Sequence, residues 1–307
     1  MIRLDISFAV GRLSRKGSTL NEYRGGNTLA RCGLHVPLED SPMKHLNHFD
    51  LSRNNFDGAQ ILGFIGSLSK LKYLNLSSAS FGGGIAPNLG TLFELEYLDL
   101  RHYYKWISSL STLKYLNLGG VDHSRAASHW FQTLNSLSVL SELHLFECQL
   151  VNLPTSLQSV NFTSLQVLDI SNNGFNSTIP EWLFNINSLK CLDLNSNNLY
   201  GELPDALAYL TSLEELDLSE NYGIEGRLPR KLGNLCNLQK LVLTNNNIGG
   251  DIMEFVDGLS ECSNNRLETL DLGYNKMTRN LPKSLGSLKN LPSDFTYYLF
   301  LDPLISI

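Results

Sequence analysis

The sequence predicts a solenoid of short stacked repeats, and three tandem segments carry this prediction. They begin at Leu165, Leu189 and Leu213 and read LQVLDISNNGFNSTIPEWLFNINS, LKCLDLNSNNLYGELPDALAYLTS and LEELDLSENYGIEGRLPRKLGNLCN. Each opens with L-x-x-L-x-[IL]-x-x-N and later contains I-P or L-P. Self-similarity with a period of about 20–29 residues and this pattern is typical of leucine-rich repeats.

One repeat shows how the pattern generates structure. Leu192-Asp193-Leu194 alternates apolar and polar residues, which predicts a short strand with one buried and one exposed face. We expect Asn197 to point inward, satisfy backbone groups of the turn and form a ladder with its counterparts. Because one repeat cannot bury its apolar side alone, the core must form by stacking. The predicted fold class is an α/β-type leucine-rich-repeat solenoid, a curved right-handed coil with a parallel β-sheet on the concave face and short 3-10, loop and helical segments on the convex face.

Ten repeats can be placed along the chain. Their first leucines are Leu46, Leu71, Leu95, Leu113, Leu140, Leu165, Leu189, Leu213, Leu238 and Leu267. Repeats 3 to 5 are irregular, because their ladder positions hold Tyr103, Val121 and Cys148. Repeat 2 is otherwise regular but has lost its ladder asparagine to Ala79. We therefore assign residues 46–291 to about ten repeats, residues 1–45 to an atypical, poorly ordered segment or irregular cap, and residues 292–307 to the tail of a truncated array.

The composition and the lack of recognisable motifs argue against several classes of function. The net charge of −6 argues against a general nucleic-acid binder, which needs a basic patch. The sequence has no apolar run of about 18 residues that would span a membrane, and no secretory h-region. It also contains no recognisable catalytic triad, metal cluster, phosphate-binding loop or kinase signature. We expect a non-enzyme that uses no cofactor and no metal.

Several segments resemble a known plant family. They are YLNLSSASFGGGIAPNLGTL, LKYLNLGGVDHSRAASHWFQTLNSL, ELHLFECQLVNLP and LGNLCNLQKLVLTNNNIGGDIMEFVDGLSECSNNRLETLDLGYNKMTRNLP. They are similar to the leucine-rich repeats of plant receptor-like proteins, in particular the group that perceives fungal ethylene-inducing xylanase. The resemblance extends to the irregular repeats 4 and 9 and covers roughly residues 44–291.

The resemblance implies a functional context. Such receptors carry a signal peptide, a cysteine-paired cap, many repeats, a non-repeat island, one membrane span and no kinase; only the repeats are recognisable here. It implies a plasma-membrane protein facing the extracellular side, with a protein or peptide ligand and possibly a co-receptor kinase as partners. We expect the ligand-binding ectodomain fragment of a receptor-like protein in defence signalling. The alternatives are a secreted inhibitor of microbial wall-degrading enzymes, the ectodomain fragment of a hormone or peptide receptor kinase, and a non-functional truncated product.

Two rows of outward residues are candidates for ligand binding. The fifth residue of each repeat is an aspartate in six repeats: Asp50, Asp99, Asp169, Asp193, Asp217 and Asp271. This row is either an acidic stripe that steers a basic partner or simply the solvated Asp of the common L-D-L-S unit. The third residue is tyrosine in repeats 2 to 4, which predicts an aromatic ladder. It serves either an interface or cross-strand packing. The candidate binding residues are Tyr73, Tyr97, Asp99, Arg101, His102, Tyr115, Glu142, His144 and Phe146.

Cysteines and sequons provide two further predictions. Cys236 and Cys262 fall on the convex side of adjacent repeats, and a disulfide there would pin the long ninth repeat. The resemblance implies an oxidising compartment in which it could form. The N-x-[ST] sequons at Asn75, Asn161 and Asn176 are candidate glycosylation sites. A glycan on Asn75 would cover the concave strand face.

Overall fold

The computed structural model describes residues 45–53, 63–79, 87–100, 105–120, 130–154, 156, 159–278 and 283–291. The chain divides into two compact units. The first comprises residues 1–121 and 129–142, and the second comprises residues 122–128 and 143–307. The expected N-terminal segment, apart from His45, and the expected C-terminal tail lie outside the described residues.

The first unit is built on four parallel strands in chain order. They are β1 (His48–Asp50), β2 (Tyr73–Asn75), β3 (Tyr97–Asp99) and β4 (Tyr115–Asn117). The central residue of each strand is buried, and these residues, Phe49, Leu74, Leu98 and Leu116, pair in register. Its other described elements are the 3-10 helices Gly63–Ser67, Pro87–Thr91 and Lys105–Ser109 and the α-helix Trp130–Leu134. Strand β5 (Glu142–His144) spans the division between the units.

The second unit repeats the same plan. Its main strands are β6 (Val167–Asp169), β7 (Cys191–Asp193), β9 (Glu215–Asp217), β11 (Lys240–Val242) and β13 (Thr269–Asp271), all parallel. The described helices are the 3-10 helices Glu181–Asn185, Asp205–Tyr209, Arg230–Asn234 and Lys283–Ser287 and the α-helix Met253–Ser260. All ten predicted strands are present, each starting two residues after its predicted first leucine. The leucine-rich-repeat fold class is confirmed.

The second unit also contains a smaller sheet that the sequence analysis did not predict. Four short parallel strands form it: β8 (Tyr200–Glu202), β10 (Gly223–Gly226), β12 (Asn247–Gly250) and β14 (Lys276–Met277). Sequence analysis assigned only 3-10, loop and helical segments outside the main sheet. Gly201, Gly226 and Gly250 have φ values of 89°, 84° and 82°, which an L-residue rarely adopts. Because of these glycines, the segment after each ladder asparagine can pair with its neighbour in the smaller sheet and then turn toward the next helix.

The predicted asparagine ladder is present in the second unit. Its described members are Asn173, Asn197, Asn221, Asn246 and Asn275. Asn221 is fully buried, and its Nδ2 donates to the carbonyls of Leu194, Leu218 and Ser219 at 3.0, 3.0 and 3.1 Å. Its Oδ1 accepts from the backbone N–H of Leu199 at 3.0 Å. One side chain therefore satisfies backbone groups of two successive repeats.

The turn before the ladder position has the same backbone shape in successive repeats. The preceding residue has a left-handed backbone, as at Glu147, Ser196 and Glu220, with φ values of 54°, 51° and 56°. The same turn is kept where the asparagine is absent. Cys148 is buried at the ladder position of repeat 5, and its Sγ donates to the carbonyl of Phe146 at 3.4 Å. Ala79 is buried at the corresponding place in repeat 2, whereas Tyr103 and Val121 lie outside the described residues.

A close backbone contact and a disulfide join repeats 8 and 9. The disulfide links Cys236 and Cys262, the two cysteines paired by sequence analysis, with their Cα atoms 5.5 Å apart. Next to it, a Cβ on Gly233 would lie 2.4 Å from the carbonyl oxygen of Phe255 and 2.9 Å from the Cα of Gly258. The 3-10 helix Arg230–Asn234 and the α-helix Met253–Ser260 therefore approach through glycine on both sides. This contact leaves no room for a larger side chain.

We predict that Asn221→Ala lowers the free energy of unfolding by about 2–4 kcal/mol, because it leaves buried carbonyls and the Leu199 N–H without their partner. Denaturant unfolding measures this loss. The exposed Asn198 in the neighbouring repeat is the matched control, and Asn198→Ala should change the midpoint little. Equal effects of the two substitutions would contradict the structural role of the ladder.

We also predict that Gly233→Ala destabilises the protein by about 1–3 kcal/mol, because the added methyl group meets backbone atoms that cannot move independently. Gly286→Ala is the control, since a Cβ there meets no atom within 4 Å. A differential scan should show a lower Tm for the first variant and an unchanged or higher Tm for the second. A Gly233→Ala variant as stable as the parent would argue against the close contact.

Candidate ligand-binding surface

Four aromatic side chains form a continuous stack on the exposed sheet face of the first unit, which we call the aromatic column. It consists of His48, Tyr73, Tyr97 and Tyr115, the third residues of repeats 1 to 4. The ring centroids are 4.0, 4.1 and 4.1 Å apart, and the planes of successive rings differ by 10°, 14° and 6°. In-register parallel strands place equivalent side chains above one another, so the identical position in each repeat produces the stack.

The hydroxyl groups of the column take part in hydrogen bonds. Asn75 Nδ2 donates to the Tyr73 hydroxyl at 3.3 Å. The Tyr97 hydroxyl interacts with the hydroxyls of Tyr73 and Tyr115. Desolvation is the main cause that raises the pKa of Tyr97, and these two hydrogen bonds add to it. Desolvation likewise raises the pKa of Tyr115. The column therefore presents protonated phenols, which can both donate and accept.

A row of ion pairs lies along one side of the column. Glu96 contacts Lys72 at 3.5 Å and Lys114 at 2.8 Å. The hydrogen bond from Lys114 is the main cause that lowers the pKa of Glu96. These side chains are largely exposed, so their contribution to stability is small. They form a polar border with charges of both signs beside the aromatic rings.

The aspartates of the outward row shape the turns that follow their strands. In five repeats an aspartate Oδ1 accepts a hydrogen bond from the backbone N–H two residues later, at Asp50, Asp169, Asp193, Asp217 and Asp271, with distances of 2.8 to 3.1 Å. Asn75 and Asn117 make the same bond in repeats 2 and 4. These side chains shape the turn after each strand, as expected for Asx turns. The aspartates therefore have a structural role in these turns, and a role of the row in steering a basic partner stays a prediction.

The structure separates the predicted binding residues into groups. Tyr73, Tyr97 and Tyr115 lie together in the column, and Glu142, in the first unit, is half-buried. Asp99 is only 8% exposed between Asn75 and Asn117, so its assignment as a contact residue is corrected. His144 and Phe146 belong to the second unit and are half-buried. Arg101 and His102 lie outside the described residues.

Sequence analysis missed one member of the column. His48 was not singled out, although it occupies the third position of repeat 1, as the tyrosines do in repeats 2 to 4. The signal was present in the repeat register. Histidine also has a flat ring, and it can therefore extend a column of tyrosines at the same repeat position.

The three sequons occupy different surroundings. Asn161 and Asn176 are exposed, as accessible acceptor sites must be. Asn75 is half-buried; its Nδ2 bonds to Tyr73, and its Oδ1 accepts from the backbone N–H and the hydroxyl of Ser77. Glycosylation of all three remains a prediction. A glycan on Asn75 would lie beside the aromatic column.

In the second unit, three carboxylates line up on adjacent strands. Asp169, Asp193 and Asp217 are partners in register. Burial, together with the charges of the other two, raises the pKa of Asp193 to about 6. The pKa of Asp169 is lowered instead, because hydrogen bonds from His144 and Ser171 outweigh its desolvation; His144 Nδ1 lies 3.5 Å from Asp169 Oδ2. The central carboxylate is therefore the one that takes up a proton most readily.

No group of three or more His, Cys, Asp or Glu side chains in the described part of the chain could hold a metal ion. Among the same residues, no helix has the length and apolar character needed to cross a membrane.

Comparison with known proteins places the chain in a family. A family model described as "Leucine-rich repeat region" matches residues 104–265, and a model described as "Leucine Rich Repeat" matches residues 266–288. The chain therefore belongs to the leucine-rich-repeat family.

The curated relatives are plant receptor-like proteins. The chain is 37% identical over 244 residues to Receptor-like protein EIX2 of Solanum lycopersicum, which covers 76% of this chain and 24% of that protein. It is 36% identical over 154 residues to Receptor-like protein EIX1 of the same species, covering 47% of this chain and 15% of that protein. The chain thus spans a quarter or less of the length of these relatives. The resemblance to plant receptor-like proteins is confirmed.

Solved structures show the same architecture in plant receptor ectodomains. The ectodomain of the Arabidopsis thaliana receptor kinase GASSHO1/SCHENGEN3, in complex with CASPARIAN STRIP INTEGRITY FACTOR 2, matches with a TM-score of 0.64 and 32% identity, covering 80% of this chain and 28% of that chain. The plant peptide hormone receptor RGFR1 in complex with RGF2 matches with a TM-score of 0.65 and 26% identity, covering 81% and 39%. These proteins share the repeat fold and bind their ligands with such ectodomains.

The raised pKa of Asp193 gives a pH prediction. The ordinary pKa is 3.8, so the folded state binds this proton more tightly than the unfolded state. The contribution of Asp193 to stability is therefore greatest below the unfolded pKa and is lost as the pH rises through about 6. We expect Asp193→Asn to raise Tm at about pH 7, to raise it less at about pH 5, and to change it little below the unfolded pKa of 3.8.

Thermal unfolding at several pH values measures the difference between parent and variant. Asparagine forms the same turn at Asn75 and Asn117, so the substitution preserves the local structure. His144→Gln serves as a control, because it removes the neighbouring contact between His144 Nδ1 and Asp169 Oδ2 and leaves Asp193 in place. A Tm difference that does not depend on pH would contradict the prediction.

Proposed function

We propose that this chain is part of the ligand-binding ectodomain of a plant cell-surface receptor-like protein that recognises a microbial protein through the aromatic column. The observation that carries this proposal is the stack of His48, Tyr73, Tyr97 and Tyr115 on an exposed sheet face. Aromatic residues are enriched at protein interfaces and dominate their binding energy. The resemblance to the group that perceives fungal ethylene-inducing xylanase supports the choice of ligand class.

The composition of the third position supports a binding role. In the second unit the same position holds Val167, Cys191, Glu215, Lys240 and Thr269, on strands that pair in the same way. The fold therefore tolerates many residue types at this position and does not require a row of aromatic residues. Their concentration in the first unit is better explained by a ligand.

The surroundings of the column also suit an interface. Stacked rings are already ordered, so little side-chain entropy is lost when a partner binds. The mixed charges of Lys72, Glu96 and Lys114 give the polar rim that typically surrounds an aromatic interface core. These features favour binding a protein surface over catalysis, and we propose a non-enzymatic role.

Location and partners follow from the same proposal. The Cys236–Cys262 disulfide suits an oxidising compartment, which supports the extracellular side of the plasma membrane. A co-receptor kinase is a further proposed partner, since a related solved complex contains the receptor kinase HAESA, the peptide hormone IDA and the co-receptor SERK1. The peptide complexes of GASSHO1/SCHENGEN3 and RGFR1 favour a peptide hormone as the second candidate ligand.

We predict that a Tyr73→Ala, Tyr97→Ala, Tyr115→Ala triple variant loses at least about 100-fold in affinity for a purified fungal ethylene-inducing xylanase, because removing central aromatic contacts costs about 2 kcal/mol or more at an interface. Surface plasmon resonance with the immobilised repeat protein measures the change. Circular dichroism and Tm show whether the variant remains folded at the assay temperature.

The matched control uses two tyrosines outside the column. Tyr209 and Tyr222 are 65% and 68% exposed in the second unit. The double variant Tyr209→Ala, Tyr222→Ala should bind as the parent does. Unchanged affinity of a folded triple variant, or no binding by the parent, would reject the proposed site and ligand.

A further inference from the structure

A segment of repeat 6, residues 175–178, runs alongside strand β8 of repeat 7. Two backbone N–H groups of repeat 7 bond to it. Asn198 N–H donates to the carbonyl of Phe175, and Tyr200 N–H donates to the carbonyl of Ser177, each at 3.1 Å. The two donors are two residues apart, and so are the two acceptors, as in a parallel ladder. The segment therefore has a fixed register against β8.

This register brings the side chain of Asn176 close to Tyr200. The residue after each acceptor lies opposite the donor, as in the pairs of the main sheet, so Asn176 faces Asn198 and Thr178 faces Tyr200. A Cβ on Gly201 would lie 3.3 Å from Thr178 Cγ2, which agrees with this register. The four facing side chains are all exposed. A strand spacing of about 4.8 Å and two rises of about 3.3 Å place Asn176 about 8 Å diagonally from Tyr200.

The Tyr200 ring is open, unlike the rings of the aromatic column. Its side chain is 49% exposed, and no ring of the described residues stacks on it. Its partners on the two sides are Thr178 and Gly223, which offer a small side chain and none. The ring therefore keeps apolar surface that a further group can cover.

Asn176 is the acceptor residue of a complete sequon, Asn176-Ser177-Thr178. The asparagine and the threonine of this sequon are both exposed. The side chain of Asn75 bonds within its repeat, whereas that of Asn176 makes no hydrogen bond with the described residues. A sugar on Asn176 would therefore break no contact of the repeat.

A sugar ring suits the open ring of Tyr200 chemically. The C–H groups on one side of a pyranose ring carry a partial positive charge, and the face of an aromatic ring is negative. Contact between them also removes apolar surface of both rings from water. The asparagine side chain and the first sugar ring together span the diagonal from Asn176 to Tyr200.

We propose that Asn176 carries an N-linked glycan whose first sugar ring packs on the face of Tyr200. In the covalent step, Asn176 Nδ2 loses a proton and forms a bond to C1 of that sugar. The bond from C1 to the phosphate of a lipid-linked oligosaccharide pyrophosphate breaks, and the lipid pyrophosphate leaves. The inference rests on the extracellular location in the proposed function and is independent of the aromatic column. The glycan thereby covers an exposed ring and joins repeats 6 and 7.

The rate of glycan release tests the contact. The chain is secreted, behind an added signal peptide, from plant cells that keep oligomannose glycans. An endoglycosidase that cuts between the first two N-acetylglucosamines then releases the glycans. Cleavage of the chain after Asp169 separates Asn161 from Asn176, so mass spectrometry follows each site. We expect Tyr200→Ala to speed release at Asn176 about 2- to 10-fold, because an aromatic contact of ordinary strength is lost, and to leave Asn161 unchanged.

Two further variants separate the ring from general effects. Tyr200→Phe keeps the ring and should release the Asn176 glycan as slowly as the parent does. Tyr209→Ala is the matched control, since Tyr209 is 65% exposed on the 3-10 helix Asp205–Tyr209, and it should not change the rate. Circular dichroism and Tm show that each variant is folded at the assay temperature.

The outcomes are distinct. Faster release at Asn176 alone, in Tyr200→Ala alone, supports the contact. An unoccupied Asn176 in the secreted protein overturns the inference, and so does a release rate that Tyr200→Ala leaves unchanged. Equal acceleration at Asn161 and Asn176 also overturns it, because the effect is then not local. None of these results bears on the aromatic column, whose role the affinity of its own variants decides.

Discussion

The structure depends on satisfying the buried backbone at the turn that ends each strand. The chain reverses direction there inside the core, where an unpaired carbonyl or N–H is costly. In the second unit each described ladder asparagine donates to carbonyls of its own and the preceding repeat, as Asn173 does to Leu145 and Ile170. All of them except Asn246, whose Oδ1 has no partner, also accept a backbone N–H, as Asn173 does from Leu150. These bonds fix each repeat against the next. The strands then remain in register, and every outward position becomes a straight row of side chains.

In the described part of the first unit, other side chains hold the strands in register. Its ladder position in repeat 2 is Ala79, which has no side-chain donor. Its outward face instead carries the aromatic column, and stacked cross-strand rings stabilise a sheet by about 0.2–1 kcal/mol per pair. The column thus combines the two roles that the sequence left open. It supports the strands, and it is the surface at which we propose that a ligand binds.

The repeat pattern predicted all ten main strands because apolar periodicity directly encodes which side chains enter the core. The second sheet was not predictable in this way. Its strands include Gly201, Gly226 and Gly250, and they are held by main-chain pairing that leaves little trace in side-chain pattern. For the candidate site, the tyrosine row followed from repeat register, but the burial of Asp99 and the turn bonds of the aspartates required coordinates. A sequence shows that a position faces outward, and neighbouring side chains determine how much of it remains accessible.

Stacking also determines what kind of surface the tyrosines offer. Isolated tyrosines on a flat sheet would expose their faces and accept sugars, cations or other rings. In-register strands stack the same residues face to face, so the column exposes ring edges and hydroxyl groups in place of most ring faces. The exposed surface of the column therefore depends on the repeat geometry as much as on residue type. The core leucines set the register of the strands, and the register in turn sets which ring atoms are exposed.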